Sequence, residues 1–402
     1  MSAKRKTTVA VIFGGRSVEH DVSIVTGHQI MRAFDAERYI VVPVYIGRDG
    51  RWFTGDPLRD LDLYKDGNVS GIKGVEETLI SPSVQHHGLI LNPLAGRFSR
   101  SEVRRVDVVF PAVHGSHGED GTLQGLLELA DIPYVGCGVM SSAVANDKLI
   151  TKDVLRQNNI PVIDSEKVYR QEWLNDRAAV LARLQAALAF PMFVKPATLG
   201  SSIGVARVAD EPALVAALDV AVNFDQRVSV EAAVVGAVEI NCAVMGNTPD
   251  IQPSVLEQPI SWEEFLTFEE KYTRGDEGMK SAERIIPAPL DDELTARIQQ
   301  TAIDAFQAIE GRGIARIDFL LDADGSQFYL NEINTMPGSL AFYLWAETDM
   351  SNADVVDGLV RLAQEAHAEK RRNTYDYQTS LVALTTQRGL KGVKGKQATR
   401  AN

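Results

Sequence analysis

Residues 314–340, IARIDFLLDADGSQFYLNEINTMPGSL, constrain this chain more than any other stretch. Gly313 precedes a run in which Ile314, Ala315, Ile317, Phe319, Leu320 and Leu321 are mostly β-compatible apolar residues. Asp324-Gly325 supplies a tight turn, with glycine able to take positive φ. Residues 328–333 return, and a Pro-Gly loop follows. Side chains alternate along a strand, so Arg316 and Asp318 share one face, and Glu332 and Asn334 share one face of the return strand. A connection with an odd number of residues, such as Ala323-Asp324-Gly325, puts Arg316 opposite Glu332 and gathers all four side chains. A strict two-residue turn splits them across the sheet. Asp, Glu and Asn beside an Arg form an oxygen-rich set suited to Mg2+ rather than to zinc or copper. Magnesium keeps some waters and adds substrate phosphates to one or two carboxylates, which points to a nucleotide. Taken alone, a solvated hairpin face with a surface salt bridge has the same pattern.

Length and charge narrow the classes. At roughly 100–200 residues per domain, 402 residues make two to four domains. The formal net charge of −13 argues against a general nucleic-acid binder. Cys137 and Cys242 form no disulfide framework and match no zinc spacing. The N-terminus, MSAKRKTTVAVIFGG, reads as a first strand and not as a signal peptide. No apolar run approaches the about 18 residues of a membrane span. The expectation is a soluble, cytoplasmic protein without membrane or nucleic-acid partners.

In chain order, 8–13 is a buried strand, then Gly14-Gly15-Arg16-Ser17, then a helical pattern over 18–34. This is a Rossmann-like opening, although the full dinucleotide fingerprint is absent. Glu19 near the helix start either favours the helix dipole or faces a substrate ammonium. Strands follow at 40–45 and 51–53, and 61–74 is polar and glycine-rich. A strand over 106–111 ends in AVHGSHGEDGTLQG, at the carboxyl end where open α/β sheets bind ligands. The H-x-x-H spacing in a glycine loop is not a zinc site. Residues 122–129 read as a helix and 134–135 as a short strand.

Beyond Gly136 the pattern gives helices over 141–157, holding Lys148, and over 173–188. FPMFVKPATLGSSIGVARV is strand, loop, strand, with Lys195 at the base of a Gly200-Ser201-Ser202 tip that can fold over phosphates. The same segment is also a plain hairpin with a solvated turn. A strand over 226–231 leads to a pair carrying Glu231 and Glu239. Residues 251–289 read as a long polar connection with Lys271 and Tyr272, the kind of segment that serves as a lid. A helix over 294–310 covers the hairpin, a helix over 354–367 closes the chain, and 369–402 is a polar tail, basic from Arg388 onward.

The motifs FGGRSVEHDVS, HGSHGEDGTLQG, YVGCGV with NDK, FVKPATLGSSIGV, EEKY, and RIDF with NEINTMPG stand in this order between about Val9 and Ala366. With them the chain resembles the ATP-grasp superfamily, and within it the D-alanine–D-alanine ligases. The resemblance implies an α/β, ATP-grasp architecture of three domains: a Rossmann-like unit over 1–135, a central subdomain over 136–228 and a C-terminal subdomain over 229–368. ATP lies between two small sheets, and the tail over 369–402 falls outside.

The resemblance also implies roles. Lys148 and Lys195 contact ATP phosphates and the adenine region, with Lys271 also on the nucleotide side. Glu231 is an adenine-side carboxylate, with the backbone from Ala232 to Val234 pairing with the base, and Glu239 binds ribose. Asp318, Glu332 and Asn334 hold two Mg2+ ions, Mn2+ being able to substitute. Arg316 and the Gly338 amide hold the oxyanion. Glu19 receives the first D-alanine's ammonium, partnered by Ser201 and Tyr272. His114, Ser339 and Leu340 stand at the second substrate, with Ser339-Leu340 following Gly338 directly where many relatives have intervening residues. The implied reaction is ATP-dependent joining of two D-alanines for peptidoglycan precursors, by a homodimer. D-serine or D-lactate as acceptor, and a nucleotide-binding protein without ligase activity, are the rival readings.

Overall fold

The computed structural model describes residues 5–65, 68–94, 101–260 and 284–375. Three sheets carry the fold. The first begins with β1 (Thr7–Gly14), α1 (His20–Ala33), β2 (Tyr39–Ile46) and β3 (Trp52–Thr54). It continues with β4 (Glu76–Ile80), β5 (Gly88–Leu91), β6 (Glu102–Arg105), β7 (Val108–Pro111) and α2 (Thr122–Leu129). The order is β6-β5-β4-β3-β2-β1-β7. Among the named strands β2, β1 and β7 run parallel, with Tyr134 bridging parallel to Val109 of β7; β3 to β6 add on antiparallel, so the Rossmann-like part is a short core with an antiparallel wing.

The apolar run of β1 is buried on both sides, as a central parallel strand requires. Val9, Val11 and Phe13 join one core with Ile24 and Trp345, while Ala10 and Ile12 join another with Leu123 and Leu127. At the end of β1 the chain turns through Gly14 at φ 88°, where a Cβ would stand 2.3 Å from the Ile46 carbonyl oxygen. Only glycine fits that turn.

Next come α3 (Val139–Asn146), α4 (Lys148–Gln157), β8 (Ser165–Tyr169), α5 (Arg170–Asn175) and α6 (Arg177–Ala187). They are followed by β9 (Met192–Pro196), β10 (Ala206–Val208), α7 (Glu211–Phe224) and β11 (Arg227–Ala232). The helices expected over 141–157 and 173–188 are each broken in two by an aspartate. Asp147 accepts from Leu149 N and Ile150 N, and Asp176 accepts from Ala179 N. Such N-caps satisfy amides that the next helix would otherwise leave open. The second sheet has the order β10-β9-β11-β8. The expected domain break between 228 and 229 falls inside β11, which belongs wholly to this sheet.

The third sheet, β14-β13-β12-β15-β16, holds β12 (Val238–Asn247), β13 (Asp250–Pro259), β14 (Arg284–Ile285), β15 (Arg312–Leu321) and β16 (Phe328–Asn334). Helix α8 (Asp292–Ala308) covers it through Ile298, Ala302 and Phe306. Burying Ile298 or Phe306 contributes about 1.5–3 kcal/mol each, and the small Ala302 lets the helix approach the sheet closely. A short α9 (Phe342–Ala346) and α10 (Asn352–Lys370) pack toward the first sheet. The polar connection expected from 251 onward is, up to Pro259, a ten-residue strand. Its polar residues are occupied: Ser254 Oγ accepts from Ala243 N at 3.0 Å, and Glu257 is buried among hydrogen-bond donors. No helix among the described residues is long and apolar enough to cross a membrane.

Candidate active site

The β15–β16 hairpin is joined by six residues, not by an odd number, and its register is Asp318 opposite Glu332 and Arg316 opposite Asn334. An even connection alone would separate these side chains. A bulge restores them to one face: Phe319 pairs with Leu330 and Asp318 with Glu332, leaving Asn331 as the extra residue. The expected opposition of Arg316 and Glu332 is therefore displaced by two residues, while the convergence of the four side chains holds. Arg316 grips Asp318 in fork geometry, Nε to Oδ1 at 2.6 Å and Nη2 to Oδ2 at 2.7 Å. Asn334 Nδ2 donates to Asp318 Oδ2 at 2.8 Å.

This row extends across the sheet. Asn241 on β12 lies opposite Asp318 and Glu257 on β13 lies opposite Asn241. Asn241 Nδ2 donates to Glu239 at 3.1 Å and to Glu257 at 3.2 Å. Tyr343 donates its hydroxyl to Glu257 at 2.6 Å, and Arg284 Nη1 donates to it at 3.2 Å. Burial pushes the Asp318 carboxyl up to about 7; Arg316 works against this, and the Glu332 and Glu239 charges add to it. Buried hard oxygen donors with excess negative charge fit a divalent cation of the magnesium kind.

The second sheet has the opposite balance. Lys195 on β9 lies opposite Ser229, and Glu231 is two residues further on β11, so the three share a face. Lys195 Nζ is 2.8 Å from Glu231 Oε2, Lys152 pairs with Oε1, and Ser229 Oγ donates to Oε1 at 2.9 Å. Burial alone would raise Glu231, but Lys195 and Lys152 outweigh it and hold the carboxyl well below its usual range. Burial lowers Lys152 to about 8 against the pull of Glu231. The Asp147 cap makes Lys148 the first residue of α4 and puts Lys152 one turn later on the same side. Lys148 Nζ donates to Leu199 O at 2.6 Å, and burial lowers its pKa. Lys195 Nζ also donates to Asn331 Oδ1 at 3.1 Å, so the bulge residue of the third sheet touches the lysine of the second.

The first sheet brings in its carboxyl-end loops. Glu19 makes no side-chain cap on α1; its carboxylate accepts from Ser201 Oγ. Gly115, at φ 70°, lies so close that a Cβ there would be 2.4 Å from Glu19 Oε2. Glu119 accepts from Gly115 N at 2.7 Å and from Met336 N at 3.1 Å, tying this loop to the Pro-Gly loop. Burial, with the Glu19 charge, raises the Glu119 carboxyl to about 8. His114 is buried, which lowers it to about 4, and its Nε2 lies 3.0 Å from Thr26 Oγ1. Ser339 N donates to the same hydroxyl at 3.4 Å. After Gly338, Ser339, Leu340 and Ala341 all have φ near 50°, a left-handed turn in three non-glycine residues. Such conformations cost energy and persist where the surroundings impose them.

The fold thus gathers Glu19 with Ser201, Lys148 and Lys195 with Glu231, and Arg316, Asp318, Glu332 and Asn334 with Glu239. His114 and Ser339 meet through Thr26. In the 232–234 segment, Ala232 N donates to Asp164 O and Ala233 N to Pro191 O. Lys271 and Tyr272 lie outside the described residues. Lys152, Asn241, Glu257, Thr26 and Asn331 escaped the sequence reading, whereas Glu119 stands in the loop that it put at the ligand-binding end of the strand over 106–111. Lys152 alone left a trace, being four residues past Lys148 on one helix.

Family models for the D-ala D-ala ligase N-terminus and C-terminus match residues 8–137 and 154–361. A D-alanine--D-alanine ligase of Thermosipho africanus is 39% identical, covering 94% of this chain and 99% of its own length. One of Bacillus cytotoxicus is 36% identical over 92% and 99%. Among solved structures, the D-alanine-D-alanine ligase of Coxiella burnetii matches with a TM-score of 0.76 at 30% identity, over 92% of this chain and 97% of that one. VanG D-Ala:D-Ser ligase of Enterococcus faecalis also reaches 0.76, at 29% identity, over 89% and 100%.

Proposed function

This chain belongs to the D-alanine–D-alanine ligase family and is an ATP-using ligase of ATP-grasp fold; we propose that it joins two D-alanines through an acyl phosphate, for peptidoglycan precursors. The observation that carries this reading is the meeting of a lysine-rich face and a carboxylate-rich face, linked by the Lys195–Asn331 hydrogen bond. A carboxylate is a poor acylating agent, and its phosphorylation requires neutralised charge and fixed positions. Lys148 and Lys195 take the phosphates, the 232–234 backbone takes the base, and Glu239 takes the ribose. Asp318, Glu332 and Asn334 hold the divalent ions, two Mg2+ with Mn2+ as a substitute, which offset phosphate charge when bound. Asn334, whose Nδ2 donates to Asp318 here, would offer its amide oxygen to a bound ion.

Glu19, with Ser201 beside it, receives the ammonium of the first D-alanine, and Tyr272 completes that set. Arg316 and the Gly338 amide stabilise the oxyanion that forms when the second amine attacks; each such donor is worth about 10²–10³ in rate. His114 is neutral at neutral pH and, through Thr26, supports the Ser339-Leu340 turn beside the acceptor. We assign the family's homodimer and a cytoplasmic site of action on the same footing. The likeness to a D-Ala:D-Ser ligase makes D-serine the second acceptor to consider.

Phosphate release with ATP, Mg2+ and D-alanine, alone and paired with D-serine or D-lactate, tests the assignment. D-Alanyl-D-alanine formed one-for-one with phosphate is expected. Preferred turnover of D-lactate near neutral pH, or nucleotide binding with no phosphate release on any acceptor, would overturn it.

A further inference from the structure

We propose that Lys152 is a positioning residue that keeps Glu231 neutralised, so that Lys195 is free to serve a nucleotide phosphate. This inference rests on the nucleotide reading above and extends it to a residue that touches neither substrate. Glu231 is 1% exposed and carries one lysine on each carboxylate oxygen. The two lysines are not equivalent. The Lys152 side chain is 2% exposed and has Glu231 as its ion partner, whereas that of Lys195 is 10% exposed and reaches beyond Glu231 to Asn331 on the neighbouring sheet.

A phosphate entering between the sheets attracts Lys195, and every bond it gains there weakens the hold of Lys195 on Glu231. An ionised carboxylate left buried without a partner is heavily penalised. Lys152 removes that penalty, because its ammonium stays on Oε1 together with the Ser229 hydroxyl. Without Lys152, Glu231 would keep Lys195 as its one ion-pair partner among the described residues, and the phosphate would have to compete with a buried carboxylate for it. Lys152 acts on nucleotide affinity, and through Lys195. The cap at Asp147 contributes by fixing where α4 begins, and hence the depth at which Lys152 lies.

The test compares the wild type, Lys152→Met and Lys152→Arg, by steady-state kinetics and by equilibrium binding of ADP with Mg2+. Lys152→Met is expected to raise KM for ATP and Kd for ADP about tenfold, with kcat within about threefold and KM for D-alanine unchanged. Lys152→Arg, which keeps a cation beside Glu231, should leave both nucleotide constants within about threefold of the wild type. A merely structural lysine predicts instead that kcat and KM for D-alanine worsen together with KM for ATP. If Lys152→Met does not fold, Lys152→Arg decides alone: ADP affinity near the wild type supports the proposal, and a tenfold loss overturns it. An unchanged KM for ATP in Lys152→Met also overturns it. Wild-type protein that binds no ADP would overturn the nucleotide reading itself.

Discussion

On the second sheet Glu231 is outnumbered by Lys152 and Lys195, whereas on the third Arg316 is outnumbered by Asp318, Glu332 and Glu239. Burial is nearly the same in both places, yet one carboxyl is driven far down and the other up to about 7. Desolvation alone therefore does not set these groups; the sign of the local surplus does. One face is prepared for anions and the other for cations, and the hydrogen bond from Lys195 to Asn331 sets the two face to face.

Breaking the negative side should have the largest effect. Glu332→Gln is expected to lower turnover by on the order of 10³-fold or more, as loss of preorganised charge stabilisation does. A circular-dichroism melt beside the activity assay separates lost chemistry from lost fold, and turnover within about tenfold of the wild type in a folded variant would contradict the metal assignment.

A second test uses pH. The Glu119 carboxyl stands at about 8 in the folded protein, above its ordinary value of 4.5. Between these values the native state binds more protons than the unfolded one, so this group makes stability fall as pH rises. His114, at about 4 against 6.5, has the opposite slope, confined to lower pH. From pH 6.5 to 8, the wild type should therefore lose on the order of 1 kcal/mol more than Glu119→Gln does. Parallel stability curves for the two proteins would remove Glu119 from the account.

The smallest effect belongs to the surface. Arg361 and Glu365 pair at 2.9 Å on α10 with side chains 63% and 53% exposed. A double-mutant cycle there should give a coupling of about 0.5 kcal/mol or less. A value comparable with a buried pair would break the claim that burial gives the site its electrostatics.

Much of this was legible in the sequence because local signals agreed with the tertiary outcome. The Gly14-Gly15 turn, the hairpin over 314–340 and the loop at Lys195 each sit where the pattern puts them. Other features depend on pairing, which one sequence does not display. Asn331 gives no sign of being a bulge, yet it decides on which side Glu332 emerges. The strand β13 was hidden because Gln252, Pro253, Ser254 and Glu257 interrupt its apolar pattern; its polar side chains are satisfied by other strands and by Tyr343. The single breaks at Asp147 and Asp176 are caps inside helical periodicity, visible only once the chain turns there.

Binding of ATP, titrated with and without Mg2+, tests the two-faced site most directly when the wild type is compared with Glu332→Gln. The opposed charges predict that Mg2+ tightens ATP binding in the wild type, and that the variant loses this tightening while its metal-free binding persists through the lysine face. Equal tightening by Mg2+ in both proteins would contradict it.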